Sequence, residues 1–324
     1  MINLVNLGII GVGGMGSAHF KIANDLGVKV TAVSDIDEVR LMEYSKMGIK
    51  TYRDYIKMLD EGGFDGVIIA TPPSLHAEQA VYALKKGYYV FLEKPMSNDL
   101  DGARLIYNEA KGKGRLMIGF TLRFHKLYIM VKEMLDSRLG KPIAMWHIAL
   151  GTMPTTGWLK DKKISGGILN EHGVHVLHQY YWYAGRVREV YADAVTVTSG
   201  ITVEDNVTVF MKHNNGASSI FHLSWSGGHG WRKWGLTAER GRVTVEGYVT
   251  GNYLISDLNG NAIEKGDFEE SIMHAYVDEV KHFIRCVENH ERPIVNEEDG
   301  YHIQQIVDAA YKSALTHSKV TITQ

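Results

Sequence analysis

Leu7-Gly8-Ile9-Ile10-Gly11-Val12-Gly13-Gly14-Met15-Gly16 determines how the first third of this chain folds. Leu7 to Ile10 is a short apolar run typical of a buried strand, and the glycines that follow it have the spacing GxGxxG. In this spacing the first glycine allows a tight turn, the second lets the backbone approach a pyrophosphate, and the third lets the next helix pack closely on the strand. That helix would direct its free N–H groups at the pyrophosphate. The segment therefore predicts a dinucleotide-binding unit.

A second apolar run, Val28 to Ser34, ends in Asp35, about twenty residues after the glycines, where such units carry an acidic residue. This carboxylate accepts hydrogen bonds from the hydroxyls of the adenosine ribose. A 2′-phosphate would meet the negative charges of Asp35 and Asp37, with Arg40 as the nearby cation. The sequence therefore favours NAD as cofactor and leaves NADP possible.

Helical patterns alternate as far as Gly119 with short apolar runs, chiefly Gly66 to Ala70, Tyr89 to Leu92 and Leu116 to Gly119. This alternation predicts a doubly wound parallel sheet covered by helices on both faces. Ligands of such sheets bind outside the carboxyl ends of the strands. Two of these ends carry Thr71-Pro72-Pro73 with His76, and Glu93-Lys94-Pro95. The predicted cofactor site comprises Gly11, Val12, Gly13, Gly14, Met15, Gly16, Asp35, Ile36, Thr71, Pro72, Pro73, His76, Glu93 and Lys94.

The length of 324 residues predicts two domains, which we place at residues 1–121 and 122–324. A hydrophobic content of 45% and a charged content of 22% are typical of globular proteins. The formal net charge is −2 and no long basic run occurs, so neither nucleic acid nor an anionic membrane is an expected partner. The expected partners are small molecules.

Cys286 is the only cysteine, which excludes an intrachain disulfide. The first residues lack the basic segment of a signal peptide, and no apolar stretch is long enough to cross a bilayer. We therefore expect a cytoplasmic protein.

The chain after Gly185 is rich in β-branched and aromatic runs, Asn214-Asn215-Gly216 is a hairpin signal, and Arg240-Gly241 and Asn259-Gly260 mark further turns. These runs predict an α+β second domain with an open, mainly antiparallel sheet. One face of such a sheet is covered by helices of the same chain, and the other often meets a second subunit. Trp225, Trp231 and Trp234 are candidates for that contact, so we expect a homodimer or homotetramer.

The segment from Ser165 to His178 carries the candidate catalytic residues. At 3.6 residues per turn, Glu171, His175 and His178 fall on one helical face, and apolar residues occupy the others. Histidine titrates near neutrality, so His175 could remove and return a proton while Glu171 orients its ring. Lys94, between an apolar strand and a proline, could stabilise a developing alkoxide.

Other interpretations of the same residues stay open. A single helical histidine is more often an ordinary core or surface residue, and Glu171, His175 and His178 could together hold Zn²⁺. No HExxH or paired-cysteine pattern accompanies them, so we predict no metal site. Arg123, His125 and Trp158 are candidates for binding the hydroxyls or the ring of a sugar, and Lys160 and Lys162 are further possible donors.

Taken together, these segments resemble the Gfo/Idh/MocA family of nicotinamide-dependent sugar and polyol oxidoreductases, of which inositol dehydrogenases and glucose-fructose oxidoreductase are examples. The resemblance extends over nearly the whole chain, and the order and spacing of the motifs make it specific. The matching segments are Gly11 to Gly16, Asp35, Ala70 to Pro73 with His76, Glu93-Lys94-Pro95, Arg123-Phe124, Leu139 to Pro142, Gly166 to His178, Glu298-Asp299-Gly300 and Ala309 to Ala314.

The resemblance implies a Rossmann domain followed by a substrate domain with an open sheet. It also implies that Lys94 contacts both cofactor and substrate, that His175 is the catalytic histidine, and that Glu171 and His175 contact the substrate. Glu171 stands where the family usually has Asp, and His178 stands where inositol dehydrogenases often have another Asp. Both departures weaken the assignment of inositol as the specific substrate.

The predicted function is NAD-dependent hydride transfer to and from a secondary hydroxyl of a sugar, a sugar derivative or a cyclic polyol such as inositol. Two alternatives remain from the sequence. One is a non-catalytic NAD(P)-binding regulator with the same fold. The other is a metal-dependent enzyme that uses Glu171, His175 and His178.

Overall fold

This computed structural model describes residues 5–247, 250–269 and 272–323. They form two compact units: residues 5–120 with Tyr276–Tyr301, and the described part of Thr121–Ala275 with residues 302–323. The first boundary lies one residue from the predicted one. The prediction assigned Tyr276–Tyr301 to the second domain, but this segment packs on the first unit because the Phe283 ring lies 5.6 Å from that of Phe91 and the Ile118 amide donates to the Val295 carbonyl.

The described part of the first unit is built around a sheet of six parallel strands, in the order β3-β2-β1-β4-β5-β6. The strands are β1 (Asn6–Ile10), β2 (Lys29–Ser34), β3 (Lys50–Tyr52), β4 (Gly66–Ile69), β5 (Tyr89–Glu93) and β6 (Leu116–Gly119). The helices between them are α1 (Gly14–Asp25), α2 (Glu38–Lys46), α3 (Tyr55–Glu61), α4 (His76–Lys85) and α5 (Leu100–Ala110).

The central strands of this sheet are covered on both faces. Every residue of β4, β5 and β6 is buried, as expected for parallel strands between two helical layers. The strand order reverses between β1 and β4, and a crevice for ligands opens at the carboxyl ends of strands at such a point. The predicted doubly wound Rossmann fold is confirmed.

The second unit contains a mainly antiparallel sheet, which has nine strands in the described residues. The strands are β7 (Pro142–Thr152), β8 (Val187–Val195), β9 (Asn206–His213), β10 (Ser218–Ser224), β11 (Ser226–Ala238), β12 (Gly241–Gly247), β13 (Thr250–Ser256), β14 (Ala262–Glu269) and β15 (Val320–Thr321). The helices are α6 (Lys126–Met134), α7 (Lys162–Ser165) and α8 (Val174–Ala184). Two further helices, α9 (Ile272–Asn289) and α10 (Glu297–Thr316), contribute residues to both units.

The order of the second sheet is β14-β13-β12-β11-β7-β10-β9-β8-β15, and β7 and β10 form a parallel pair inside it. Its strands alternate between buried and accessible residues, which is the pattern of a sheet covered on one face. Trp234 and Trp225 lie on the covered side and are buried, so they belong to the core and not to a subunit contact. Trp231 is 41% exposed.

Within the described residues, no helix combines the length and apolarity that crossing a bilayer requires.

Candidate active site

The glycine-rich turn between β1 and α1 has the geometry that a pyrophosphate requires. Gly11 has φ +83°, and a Cβ there would lie 2.9 Å from the Ala70 carbonyl oxygen. A Cβ at Gly16 would lie 1.8 Å from the Gly11 carbonyl oxygen, so only glycine lets α1 approach the turn this closely. Gly13 holds the N-cap position and has no side chain to cover the first N–H groups of α1. These amides are suited to an anionic ligand.

Asp35 lies directly after β2, beside the glycine turn. Its carboxylate accepts the Val12 amide and the Asp37 amide, both at 2.9 Å, which fixes its orientation. A carboxylate has about four acceptor positions, so ribose hydroxyls can still be bound. Arg40 lies 3.6 Å from Asp35 and 3.4 Å from Asp37. The residues present therefore fit a dinucleotide whose ribose is recognised by Asp35.

The predicted residue Ile36 is strongly exposed next to Asp35, whereas His76 is fully buried. The two ring nitrogens of His76 lie 2.8 Å from the carbonyl oxygens of Thr71 and Pro95. Burial lowers the pKa of His76, so the neutral ring donates to one carbonyl at a time. The geometry supports a role for His76 in joining the loops after β4 and β5, and not direct contact with a ligand.

Glu93 is the last residue of β5, and Lys94 follows it at the carboxyl edge of the parallel sheet. Glu93 is buried, and one of its carboxylate oxygens accepts the Lys94 amide at 3.1 Å. The other oxygen lies 2.6 Å from Nε2 of His19, on α1. Lys94 itself is half-buried and precedes a cis peptide bond to Pro95.

In the second unit, the segment from Leu169 to Gly173 forms a π-helical turn that continues into α8. The wider turn changes the helical periodicity that the sequence analysis assumed, and such turns are frequent at functional sites. Glu171 and His175 are partly accessible, whereas His178 is 2% exposed. The pairing of Glu171 with His175 stays a prediction, whereas His178 belongs to the core.

A third histidine accompanies the predicted pair. The His172 ring centroid lies 6.3 Å from that of His175, and Nε2 of His172 lies 3.0 Å from an Arg232 guanidinium nitrogen. Arg232 can only donate, so this hydrogen bond places the proton of a neutral His172 on Nδ1. Both His172 and Arg232 line a cavity of about 740 Å³ at the end of β7 and β11.

The turn that precedes Glu171 is held by a part-buried polar network of Lys162, Glu204 and Tyr311, in which the Glu204 carboxylate is buried. Glu204 lies 2.6 Å from both the Lys162 ammonium and the Tyr311 hydroxyl, and it accepts the Leu169 amide at 3.1 Å. Burial and then Glu204 raise the pKa of Tyr311, so the hydroxyl remains a donor. Lys162, proposed from the sequence as a sugar donor, is used in this network.

The predicted substrate residues differ in accessibility. Arg123 is half-buried, and its guanidinium lies 3.8 Å from the centre of the Trp182 ring. His125 is buried and caps α6, where its ring accepts the Leu127 amide. Trp158 is half-buried in the loop before α7. Arg123 and Trp158 therefore remain candidates for binding substrate, and the geometry supports a structural role for His125.

Among the residues that the structure describes, no three His, Cys, Asp or Glu side chains are grouped closely enough to hold a metal ion. Glu171, His175 and His178 do not form such a group, because the His178 side chain is directed into the core while the other two reach the surface. The metal-dependent alternative therefore lacks the ligand set that it requires.

Sequence reasoning did not find His19, His172, Arg232, Glu204 or Tyr311. Glu204, Arg232 and Tyr311 act through partners far away in the chain, and no local pattern marks such pairs. His19 could have been found, because it lies one helical turn after Gly16 and shares the buried face of α1. A polar residue on a buried helix face requires a partner.

Two sequence models of one family match this chain. Residues 5–120 match the family described as oxidoreductases with an NAD-binding Rossmann fold, and residues 128–247 match the C-terminal domain of the same family. The chain is 28% identical to a myo-inositol 2-dehydrogenase of Thermotoga maritima over 95% of its length and 96% of that protein's. It is 25% identical to a scyllo-inositol 2-dehydrogenase (NAD(+)) of Bacillus subtilis over 93% of its length and 91% of that protein's.

Solved structures agree with this assignment. A probable dehydrogenase of Thermotoga maritima superposes with a TM-score of 0.83 at 25% identity, over 98% of this chain and 99% of that one. Levoglucosan dehydrogenase in complex with NADH and levoglucosan superposes with a TM-score of 0.90 at 19% identity, over 99% of each chain, and shows the same fold. The chain belongs to the Gfo/Idh/MocA family of NAD-dependent oxidoreductases.

Proposed function

We propose that this protein oxidises a secondary hydroxyl of a cyclic polyol or a sugar, with NAD as acceptor and His175 as the acid/base residue. The observation that carries this proposal is the start of α8. In the π-helical turn and the first turn of α8, Glu171, His172 and His175 are accessible, while the other residues from Gly173 to Tyr180 are buried. A buried helix that presents an imidazole and a carboxylate together is suited to proton transfer.

In the proposed reaction, His175 removes the proton of the substrate hydroxyl. Lys94 stabilises the negative charge that develops on the oxygen, and Glu171 keeps the imidazole in its productive orientation. NAD, when bound, would supply the acceptor for the hydride that leaves the carbon bearing this hydroxyl. The residues suited to hold it are the turn from Gly11 to Gly16 and Asp35.

The relatives support a cyclic substrate with several hydroxyl groups. A myo-inositol 2-dehydrogenase of Thermotoga maritima and an inositol 2-dehydrogenase of Saccharopolyspora erythraea match nearly the whole chain, and a structural neighbour is in complex with levoglucosan. Arg123 could donate hydrogen bonds to hydroxyls, and Trp158 could stack on a ring. Glu171 in place of Asp has a longer side chain, which favours a substrate preference distinct from that of the inositol dehydrogenases.

We further propose that the open face of the second sheet binds a second copy of the chain. Tyr191, Phe210, Ile220 and Trp146 are successive cross-strand partners on this face, over β8, β9, β10 and β7. Tyr191, Phe210 and Ile220 are each more than a third exposed. A continuous apolar row of this kind is typical of a subunit contact.

The cytoplasmic location expected from the free Cys286 thiol stays a prediction.

The experiment that tests the function measures NADH formation by the wild-type protein with a panel of inositols, hexoses and anhydrosugars. We expect NAD-dependent turnover with at least one of them. Lys94→Met should lower kcat by on the order of 100-fold or more, because a stabilising charge is lost from the transition state. Lys57→Met, which replaces an exposed lysine of α3, is the matched control and should leave kcat unchanged.

Two results would contradict the proposal. Tight NADH binding without turnover on any member of the panel would favour the non-catalytic regulator. Turnover that a chelator abolishes and Zn²⁺ restores would favour the metal-dependent alternative. Turnover with NADP but not with NAD would contradict only the choice of cofactor.

A further inference from the structure

The first unit contains a polar pair in its core that the proposed reaction does not use directly. His19 has no exposed surface, Glu93 is 6% exposed, and Nε2 of His19 lies 2.6 Å from a Glu93 oxygen. The edge of the His19 ring contacts Phe91, with 4.9 Å between ring centroids. Among the described residues, no hydrogen-bond partner lies at its Nδ1, so a neutral ring carries its proton on Nε2 and donates it to Glu93.

This pair lies between two parts of the cofactor site. His19 follows Gly16 by one turn of α1, and Gly16 is the residue through which α1 contacts the glycine turn. Glu93, at the other end of the hydrogen bond, is the last residue of β5 and immediately precedes Lys94. A single helix face therefore contacts both the pyrophosphate turn and the strand that carries the proposed catalytic lysine.

Both oxygens of Glu93 are used. One accepts from His19, and the other accepts the Lys94 amide at 3.1 Å. A Cβ at Gly119, on the neighbouring strand, would lie 3.2 Å from this second oxygen. The absence of a side chain at Gly119 therefore leaves space for the carboxylate. Two hydrogen bonds in different directions fix the side chain of Glu93, and through it the plane of the Lys94 peptide.

Stability alone does not explain why a histidine and a carboxylate are buried here as a hydrogen-bonded pair. Two well-packed apolar residues of similar volume are often as stabilising as a buried ion pair or more so, whereas removal of one partner leaves an uncompensated charge. The neighbours Phe91 and Leu92 show that this layer of the core accepts apolar side chains. The pair is therefore better explained by its effect on the orientation of the Lys94 peptide than by its contribution to the free energy of unfolding.

We infer that His19 is a positioning residue for Lys94: through Glu93 it holds the Lys94 backbone in the orientation that catalysis requires, and it couples that orientation to the pyrophosphate-binding helix. This inference rests on the proposed role of Lys94. A displacement of a catalytic group by about 1 Å can reduce turnover on the order of 100-fold, so a residue without substrate contact can have a large kinetic effect.

The test compares His19→Leu, which removes the donor, with His19→Gln, whose side-chain amide can still donate to Glu93. We expect His19→Leu to lower kcat on the order of 100-fold, while the substrate KM and the Kd of NADH change by less than about 3-fold. We expect His19→Gln to restore most of kcat. Where His19→Leu does not fold, His19→Asn takes its place, because its shorter amide stops short of Glu93.

A second measurement does not depend on activity. Hydrogen exchange of the Lys94 amide reports directly on its bond to Glu93, and we expect exchange to be on the order of 10-fold faster in His19→Leu and near the wild-type rate in His19→Gln. Ile22→Val is the matched control. It removes a buried methyl group from the same face of α1 without touching Glu93, so it loosens the helix but should leave both kcat and Lys94 exchange unchanged.

The outcomes separate this inference from the proposed function. If the wild-type protein turns over no substrate but Lys94 exchange follows the expected pattern, the function fails and the structural link stands. If turnover is present and Ile22→Val affects kcat as strongly as His19→Leu, His19 has only a packing role. Equal kcat in His19→Leu and the wild type would also overturn the inference.

Discussion

We propose that Asp35 determines which dinucleotide this protein prefers. Its two backbone hydrogen bonds hold the carboxylate beside the glycine turn, and Arg40 is close enough to bind a 2′-phosphate once that charge is removed. We predict that Asp35→Asn weakens NADH binding roughly 10-fold or more, since a hydrogen bond to a charged group contributes about 1.5–3 kcal/mol. NADPH binding should weaken less or improve, because repulsion is relieved.

Fluorescence titration with NADH and NADPH measures both affinities. Asp25→Asn, at the exposed end of α1, is the control and should change neither. An unchanged preference for NADH in Asp35→Asn would remove Asp35 from cofactor selection.

We predict that His147 makes the second unit less stable in acid. It is buried on β7, and burial, followed by the charges of Arg232 and His172, holds its pKa well below the usual value. In the unfolded chain His147 takes up a proton near pH 6.5, so below this pH the unfolded state binds more protons than the folded state. The free energy of unfolding should therefore fall with decreasing pH, by at most about 1.4 kcal/mol per pH unit for this group.

His147→Gln should make this acid dependence shallower by one proton. All six tryptophans lie in the second unit, so their fluorescence follows its unfolding in urea between about pH 5 and pH 7. The substitution also lowers stability at neutral pH, but the slope is the informative quantity. Parallel pH dependences in the variant and the wild type would show that His147 does not titrate on unfolding.

At the level of secondary structure, the proposed catalytic helix depends on the turn before it. Gly167 has φ +98°, and a Cβ there would lie 2.4 Å from the Tyr311 hydroxyl, so the network of Lys162, Glu204 and Tyr311 leaves room only for glycine. This turn sets where the π-helical segment begins, and thereby the direction in which Glu171 points.

We predict that Tyr311→Phe lowers the free energy of unfolding of the second unit by about 1–3 kcal/mol, because Glu204 loses a hydrogen bond in a buried position. It should also lower kcat, since the displaced group is Glu171, which is proposed to orient His175. Urea unfolding and steady-state kinetics test the two effects. Tyr301→Phe, on the same helix and in the first unit, provides the control.

Local patterns predicted most of these elements. The apolar runs of β4, β5 and β6 lie within a residue of their observed limits, because buried parallel strands are continuous apolar segments. The π-helical turn at Leu169–Gly173 was not predicted, because the prediction assumed the α-helical period of 3.6 residues per turn over the whole segment. β12, β13 and β14 were indicated only by the turns Arg240-Gly241 and Asn259-Gly260, since their half-exposed residues give a weak signal.

For the whole molecule, the sequence predicted both folds but not the unit that contains Tyr276–Tyr301. That segment is amphipathic and could cover either sheet, so the choice depends on contacts such as the one between Phe283 and Phe91. The site was predicted where a motif marks it, as for the glycines and Asp35. Residues that act through distant partners, such as Arg232 and Glu204, carry no such mark.

The open sheet face leads to a prediction about assembly. Phe210→Glu places a charge at the centre of the apolar row formed with Tyr191 and Ile220, and burying that charge in a contact is costly. We predict that the wild-type protein is a dimer or a larger oligomer, and that Phe210→Glu is a monomer by sedimentation or light scattering.

Leu315→Glu, which changes an exposed apolar residue of α10, should leave the mass of the oligomer unchanged. A monomeric wild-type protein, or a Phe210→Glu variant of unchanged mass, would be inconsistent with a second copy on this face.

The central claim is that His175 performs the proton transfer and does not hold the cofactor. Its most direct test is a single turnover of His175→Asn with saturating NAD and the substrate found in the panel, compared with NADH binding to the same variant. We predict that hydride transfer slows on the order of 100-fold or more, whereas the Kd of NADH changes by less than about 2-fold. Hydride transfer at the wild-type rate in His175→Asn would contradict the claim.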